Sequence, residues 1–128
     1  MQVTPVVLDY EVAVDASTAA TFRLPITLDV IGGKTGSVYV YIDSIDSNTA
    51  LEVGSMSSPD GKAGWVPNAT ALWGDDSTAR STGMYISSSS EQLDLNGMAK
   101  LALFLKVKAL EASAKEITLS VWFVSKPF

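Results

Sequence analysis

The sequence predicts an all-β chain that folds as a single antiparallel β-sandwich of seven or eight strands, either a jelly roll or an immunoglobulin-like Greek key. Three observations lead to this prediction. Apolar and polar residues alternate with a period of two, turn signals separate the alternating segments, and no amphipathic helix of convincing length is present. The 128 residues suffice for one hydrophobic core, so we expect one domain over residues 1–128.

The first two strands are predicted from alternation alone. Apolar residues recur at every second position from Leu8 to Val14 and again from Phe22 to Val30. Pro25 lies inside the second segment and has no N–H to donate. The second strand is therefore expected at the edge of a sheet or interrupted by a bulge.

The middle of the chain predicts a central strand, a shorter strand and a turn. Residues 38–42 are apolar at every position, which is typical of a central strand or of one whose outer face is covered. Leu51 and Val53 begin the shorter strand. In the turn Ser58-Pro59-Asp60-Gly61, proline presets φ, aspartate bonds its own backbone and glycine takes positive φ.

The segment from Trp65 to Thr82 shows no period and is longer than most connections, as functional loops often are. Short alternation at Met84 to Ile86 and long alternation at Leu101 to Val107 predict two further strands. The last strand, Ile117 to Val124, alternates most regularly, and we expect its odd-numbered residues to face the core.

Composition disfavours several functions. Apolar residues make up 47% of the chain and charged residues 18%, and no apolar run approaches the roughly 18 residues of a membrane span. The net charge of -5, without a basic stripe, predicts no nucleic-acid partner. Cysteine and histidine are absent, which removes thiolate chemistry, the commonest general base and the commonest transition-metal ligand. The start has no signal-peptide pattern, so we expect synthesis and use without export.

Charge is unevenly distributed along the chain. Residues 1–64 carry eight acidic and three basic residues, whereas residues 65–128 carry six of each. This difference predicts one acidic end, a polarity suited to orienting a partner or a neighbouring copy.

Acidic residues are the only abundant candidates for catalysis or metal binding. Asp75 and Asp76 are adjacent, so their side chains should diverge, and Asx-turn roles are favoured over a catalytic pair. A calcium site would need convergent oxygen ligands from two loops, and the preferred interpretation is ordinary polar loops. The calcium candidates are Asp43, Asp46, Asn48 and Asp60. We therefore predict no catalytic residue, no metal ligand and no cofactor.

Aromatic residues suggest two kinds of surface. Trp65 and Trp73 lie in the irregular segment and, with Tyr85, could stack sugar rings; the favoured alternative is that both tryptophans fill the gap between the sheets. Phe104, Trp122 and Val124 are predicted to point away from the core and to form one apolar patch of the kind that marks a subunit contact.

One family resemblance can be stated from ordered short motifs in the C-terminal two-thirds of the chain. Residues 51–55, then Pro59-Asp60-Gly61, then Trp65, and a closing strand over residues 117–122 resemble small tailed-phage virion proteins of the β-sandwich decoration or cement type. A strand, Asp-Gly turn and Trp unit also occurs in discoidin-like and carbohydrate-binding domains. The phage resemblance implies a dimer or trimer without an active site, made in the host cytoplasm, that lies on the virion and bridges subunits of the major capsid protein.

Four functional hypotheses follow from the sequence. The first is a structural virion protein, and the second is a carbohydrate-binding module that uses Trp65, Trp73 and Tyr85. The third is a cohesin-like module that binds another protein through one sheet face. The fourth, an enzyme, would be restricted to acid-based chemistry, and we predict that the chain is not one.

Overall fold

The computed structural model describes residues 1–127 and confirms an all-β sandwich of two antiparallel sheets. The ten strands, in chain order, are β1 (Gln2–Val14), β2 (Ala19–Asp29), β3 (Gly33–Ile45), β4 (Thr49–Ser58), β5 (Val66–Pro67), β6 (Trp73–Ala79), β7 (Gly83–Ile86), β8 (Leu93–Asp94), β9 (Lys100–Ala109) and β10 (Lys115–Pro127). Within these 127 residues no helix is long and apolar enough to cross a membrane.

The strand order selects between the two predicted topologies. Sheet A has the order β1-β10-β3-β7, with β8 also paired with β3, and sheet B has the order β2-β9-β4-β5, with β6 also paired with β4. The first strand therefore lies beside the last, and the second lies beside the ninth. This order, in which the chain passes repeatedly from one sheet to the other, is that of a jelly roll.

Alternation identifies the core correctly. Ile117, Leu119, Val121 and Phe123 of β10 are all buried, as predicted. Strand β10 lies between β1 and β3, and its inner face packs against sheet B. The largest fully buried side chains come from both sheets and from the connections between them: Leu24, Ile42, Leu51, Leu72, Leu95, Leu101, Leu103, Leu105, Ile117, Leu119, Val38 and Val40.

Two local predictions about β2 and β3 are confirmed. Strand β2 is an edge strand of sheet B, and its pairing with β9 is irregular between Arg23 and Thr27, which flank Pro25. Strand β3 is central, because it pairs with β10 on one side and with β7 and β8 on the other. A missing N–H is tolerated in β2 because the irregular edge does not need it.

The predicted turn after β4 forms through side chains. The hydroxyl of Ser58 accepts the N–H of Gly61 at 3.0 Å and donates to the carbonyl of Ala63 at 2.7 Å. The Asp60 carboxylate accepts the N–H groups of Lys62 and Ala63, and these bonds lower the pKa of Asp60. The turn thus satisfies its own backbone without tertiary contacts.

The segment from Trp65 to Thr82 is more ordered than the sequence predicts. It contains β5 and β6, which both pair with β4 and complete one side of sheet B. Strand β6 reads Trp-Gly-Asp-Asp-Ser-Thr-Ala and has a polar composition that hides its period. Pairing with a buried neighbour, rather than local propensity, makes it a strand.

Candidate interaction surface

A row of large side chains crosses the outer face of sheet A. The residues of β10 that alternate with its buried positions point outward, and Trp122 is the largest of them. Strand pairing places Pro5 of β1 on one side of Trp122 and Tyr39 of β3 on the other, and Ile86 of β7 lies beyond Tyr39. We call these four residues the apolar row.

Exposed apolar residues continue on both sides of the apolar row. On one side Tyr41 pairs with Met84, and on the other Val3 is 48% exposed and covers its partner Val124, which is buried. Met84 is 58% exposed and Ile86 of the row is 54% exposed. Contiguous exposed apolar patches are often functional, which makes this face the candidate interaction surface.

A bulge in β1 shapes the edge of this face. Asp9 adopts a positive φ of 50°, and its N–H donates to the outward hydroxyl of Ser120 at 3.0 Å. The irregular pairing lets consecutive Val6 and Val7 both enter the core and leaves Leu8 exposed beside the apolar row. Bulges interrupt the unpaired edge of a strand, so lateral growth of the sheet at β1 is disfavoured.

Beyond the apolar row, the same face becomes acidic. Glu11, Glu116 and Asp46 line a groove of about 400 Å³, which we call the acidic groove. The Asp46 carboxylate accepts the N–H of Glu116 at 2.8 Å. Among the residues that line it, none is basic. The predicted charge polarity therefore has a counterpart on sheet A, where one end of the face attracts cations.

The structure describes no metal site in this groove. In residues 1–127 no group of three or more Asp, Glu, His or Cys side chains has a geometry that could hold a metal ion. The predicted calcium candidates do not converge either, because Asp46 precedes β4 and Asp60 follows it. Ten residues of strand separate these two loops by roughly 30 Å at about 3.3 Å per residue.

The outer face of sheet B, in contrast, is covered by its own side chains. The ring of Phe104 lies against Gly54, and Arg23 stacks over Trp65 at 4.6 Å. Lys106 of β9 forms an ion pair with Asp76 of β6, with 3.5 Å between the Lys106 Nζ and Asp76 Oδ2 atoms. The two faces of the sandwich are therefore not equivalent as partner surfaces.

The predicted apolar patch of Phe104, Trp122 and Val124 is not a single surface, and this grouping was wrong. Phe104 belongs to β9 in sheet B, whereas Trp122 and Val124 belong to β10 in sheet A. Val124 is only 3% exposed. Alternation gives the side of a strand but not the sheet to which the strand belongs, so the outward residues of two strands were assigned to one face.

The three predicted sugar-stacking residues do not form one platform. Trp73 is 4% exposed, and its ring centroid lies 5.0 Å from that of Tyr85, which also packs against the core. Arg80 covers the Trp73 ring at 4.6 Å. Trp65 lies apart with Arg23 on sheet B. The favoured interpretation, that a tryptophan fills the gap between the sheets, holds for Trp73.

The adjacent acids diverge as predicted. Asp75 accepts the backbone N–H groups of Ser77 and Thr78 at 2.9 and 2.7 Å, and these bonds lower the pKa of Asp75 to about 2. Asp76 points instead to Lys106. The Asx-turn role predicted for this pair is therefore observed at Asp75, and the two carboxyl groups do not face each other across a cleft.

Together, the strand order and the apolar row define a jelly-roll sandwich with one exposed apolar face. The sequence matches no family model and no curated protein. The fold is similar to that of VP2 of infectious bursal disease virus in a subviral particle, with a TM-score of 0.67, 12% identity, and coverage of 98% of this chain and 32% of the VP2 chain.

Two further structures from infectious bursal disease virus give the same likeness. A structure of the Gx strain aligns with a TM-score of 0.62 and 9% identity over 95% of this chain and 30% of its own. A point mutant of VP2 in T=1 particles aligns with a TM-score of 0.56 and 11% identity over 97% and 31%. This chain spans about a third of the length of these chains, and at these identities the likeness shows the fold.

Proposed function

We propose that this chain is a non-enzymatic structural protein of a virus particle, which decorates or cements the capsid by bridging neighbouring subunits. The observation that carries the proposal is the apolar row, an exposed apolar surface on a sandwich whose fold matches that of VP2 in a subviral particle. The role implies that the protein resides in the virion and contacts the major capsid protein.

The size of the apolar patch suits a contact that is weak alone and repeated many times over one particle. Four strands about 4.8 Å apart and three residue rows about 6.6 Å apart give a patch of roughly 400 Å². Ser37, Ser120 and buried Val124 occupy part of this area, so at about 25 cal/mol per Å² its burial contributes at most about 10 kcal/mol, within the estimated 4–15 kcal/mol cost of association. A single contact would therefore be weak, and simultaneous contacts on one particle would be strong.

The carbohydrate-binding alternative is weakened by the burial of Trp73. A stacking platform needs an exposed ring face, and Trp73 is held between Tyr85 and Arg80. Trp65 alone, with Arg23 on one face, offers one ring. We therefore do not propose glycan binding as the function.

Co-sedimentation tests the proposed function. Particles pelleted from the natural source should contain this protein, detected by an antiserum, and stripped particles should rebind the purified chain. Trp122→Glu should abolish rebinding, because it places a charge in the apolar row. Val66→Glu is the matched control, since Val66 is an exposed apolar residue of sheet B and its replacement should leave rebinding unchanged. Recovery of the protein solely in particle-free fractions would refute the proposal.

A further inference from the structure

We infer that the outer face of sheet A binds a second copy of this chain, in a two-fold dimer whose facing strands run in opposite directions. The inference deepens the proposed function, on which it rests: the apolar row joins two copies, and the pair then bridges neighbouring capsid subunits through the surfaces that the dimer leaves exposed. It is carried by the spacing of charges along β10, by the acidic groove and by the area of the face.

The charges are placed symmetrically about Trp122. Lys126 lies four residues after Trp122 on β10, and Thr118 lies four residues before it, about 13 Å away in each direction at about 3.3 Å per residue. All three are outward positions of the same strand. Glu11 of β1 pairs with Thr118 and is exposed at that level of the face. Along the strand direction the face therefore carries Lys126 on one side of its aromatic centre and Glu11 at the same spacing on the other, with Asp94 of β8 two strands from Lys126 at the level of Thr35.

This spacing selects the direction of packing. A two-fold axis between the faces, perpendicular to the strands and level with Trp122, places each Lys126 over the Thr118 level of the other copy. Glu11 of that copy is then one strand away, about 4.8 Å to the side, within reach of a lysine side chain. An axis parallel to the strands would bring Lys126 level with Lys126 and Glu11 level with Glu11. Like charges would then face each other, so the first arrangement is favoured.

The acidic groove is lined by three carboxylates and by no basic residue of its own chain. Glu11 and Glu116 are exposed. In the antiparallel dimer, the second copy supplies Lys126 at this position. The same contact forms twice by symmetry, as expected for an isologous interface.

The area of the face matches a stable interface. Strands β1, β3 and β10 have 13 residues each, β7 has four and β8 has two, and at about 3.3 Å per residue and 4.8 Å per strand they cover roughly 700 Å². Standard interfaces bury about 800 Å² per partner. The apolar row lies at the centre of this area and the charges lie near its ends, which is the usual arrangement of a hydrophobic centre with a polar rim.

A charge-swap experiment on the full chain tests the dimer. Sedimentation velocity over a range of concentrations should show a monomer–dimer equilibrium for the unaltered protein. Glu11→Lys and Lys126→Glu should each weaken the dimer about tenfold, because each reversal creates repulsion at two symmetry-related sites. The double variant should return to within about threefold of the unaltered protein, because it restores both pairs. Lys62→Glu, an equal charge change in the exposed turn after β4, should have no effect.

Several results would overturn the inference. A monomer at every concentration, a trimer, or a double variant no stronger than the weaker single variant would each exclude this interface. Thermal unfolding of every variant should stay near that of the unaltered protein, since these side chains are exposed, and circular dichroism checks this. A monomeric protein that still rebinds particles would refute the dimer alone, whereas a dimer absent from particles would refute the proposed function.

Discussion

Replacing Trp73 by alanine tests whether this tryptophan belongs to the core or to a binding surface. The side chain is 4% exposed and contacts Tyr85 and Arg80. Truncation of a buried tryptophan costs about 3–5 kcal/mol, and loss of a partly desolvated cation–π contact adds about 0.5–2 kcal/mol. We therefore expect Trp73→Ala to lower the free energy of unfolding by about 4–6 kcal/mol.

Trp65 provides the matched comparison. It is half-buried and contacts Arg23 through one ring face, so Trp65→Ala should cost about 1 kcal/mol. Guanidinium unfolding followed by far-ultraviolet circular dichroism measures both, because tryptophan fluorescence changes when the residue is removed. At about 4 °C per kcal/mol, the melting temperature should fall by roughly 16–24 °C for Trp73→Ala and by about 4 °C for Trp65→Ala.

A cost below about 1.5 kcal/mol for Trp73→Ala would refute the assignment of this residue to the core. Trp73→Phe is the second variant, because it keeps an aromatic ring in the gap and should recover at least half of the lost stability. Glycan retention by the unaltered protein that is lost in Trp65→Ala without unfolding would instead support the sugar-binding alternative.

Three further predictions concern single contacts. Gly54→Ala should cost about 1–3 kcal/mol in urea unfolding, since its Cβ would lie 2.2 Å from the Phe104 ring, and Phe104→Leu in the same chain should recover most of the loss. Hydrogen bonds from Lys115 and Asn48 to the Glu111 carboxylate lower the pKa of Glu111 below 4.5. The stability that these bonds provide is therefore complete above pH 4.5 and is lost as the pH falls through the lowered pKa. Glu111→Gln should remove this loss, so the melting temperature should depend less on pH in the acid range. Asp75→Asn should likewise remove the loss of stability that the Asp75 carboxylate causes as the pH falls from 3.8 to about 2. If the melting temperature of this variant depended on pH as that of the unaltered protein does, the role given to the backbone hydrogen bonds of Asp75 would be contradicted.

The sequence predicts the strands well where one face of the strand is buried in the core and the other is exposed to solvent. Alternation in residues 117–124 identifies Ile117, Leu119, Val121 and Phe123, which the structure buries, but not Lys115, which is buried at the start of β10. Pro25 predicts an irregular edge strand because it has no N–H to donate to a neighbouring strand, whatever that neighbour is. These are local constraints, so one segment is enough to reveal them.

Sheet membership is not a local property, and it decides the candidate surface. Phe104 and Trp122 have the same outward pattern, yet β9 and β10 belong to different sheets because the connection between them crosses the sandwich. The alternation of Tyr39 with buried Val38 and Val40 did signal a second apolar face on β3. The other members of the apolar row, Pro5 and Ile86, could not be predicted from the sequence, because they lie beside Trp122 and Tyr39 only through the pairing of four strands that are far apart in the chain.

The difference between the two outer faces supports an interface on sheet A in particular. On sheet B, the Phe104 ring already lies against Gly54 and Arg23 already covers Trp65, so a partner would have to displace contacts that exist in the isolated chain. On sheet A, Ile86 is exposed at the end of the apolar row, and burying it displaces water alone. Binding through sheet A therefore gains apolar burial without losing intramolecular contacts, which is why replacement of the exposed Ile86, rather than of the half-buried Trp122, should separate assembly from folding.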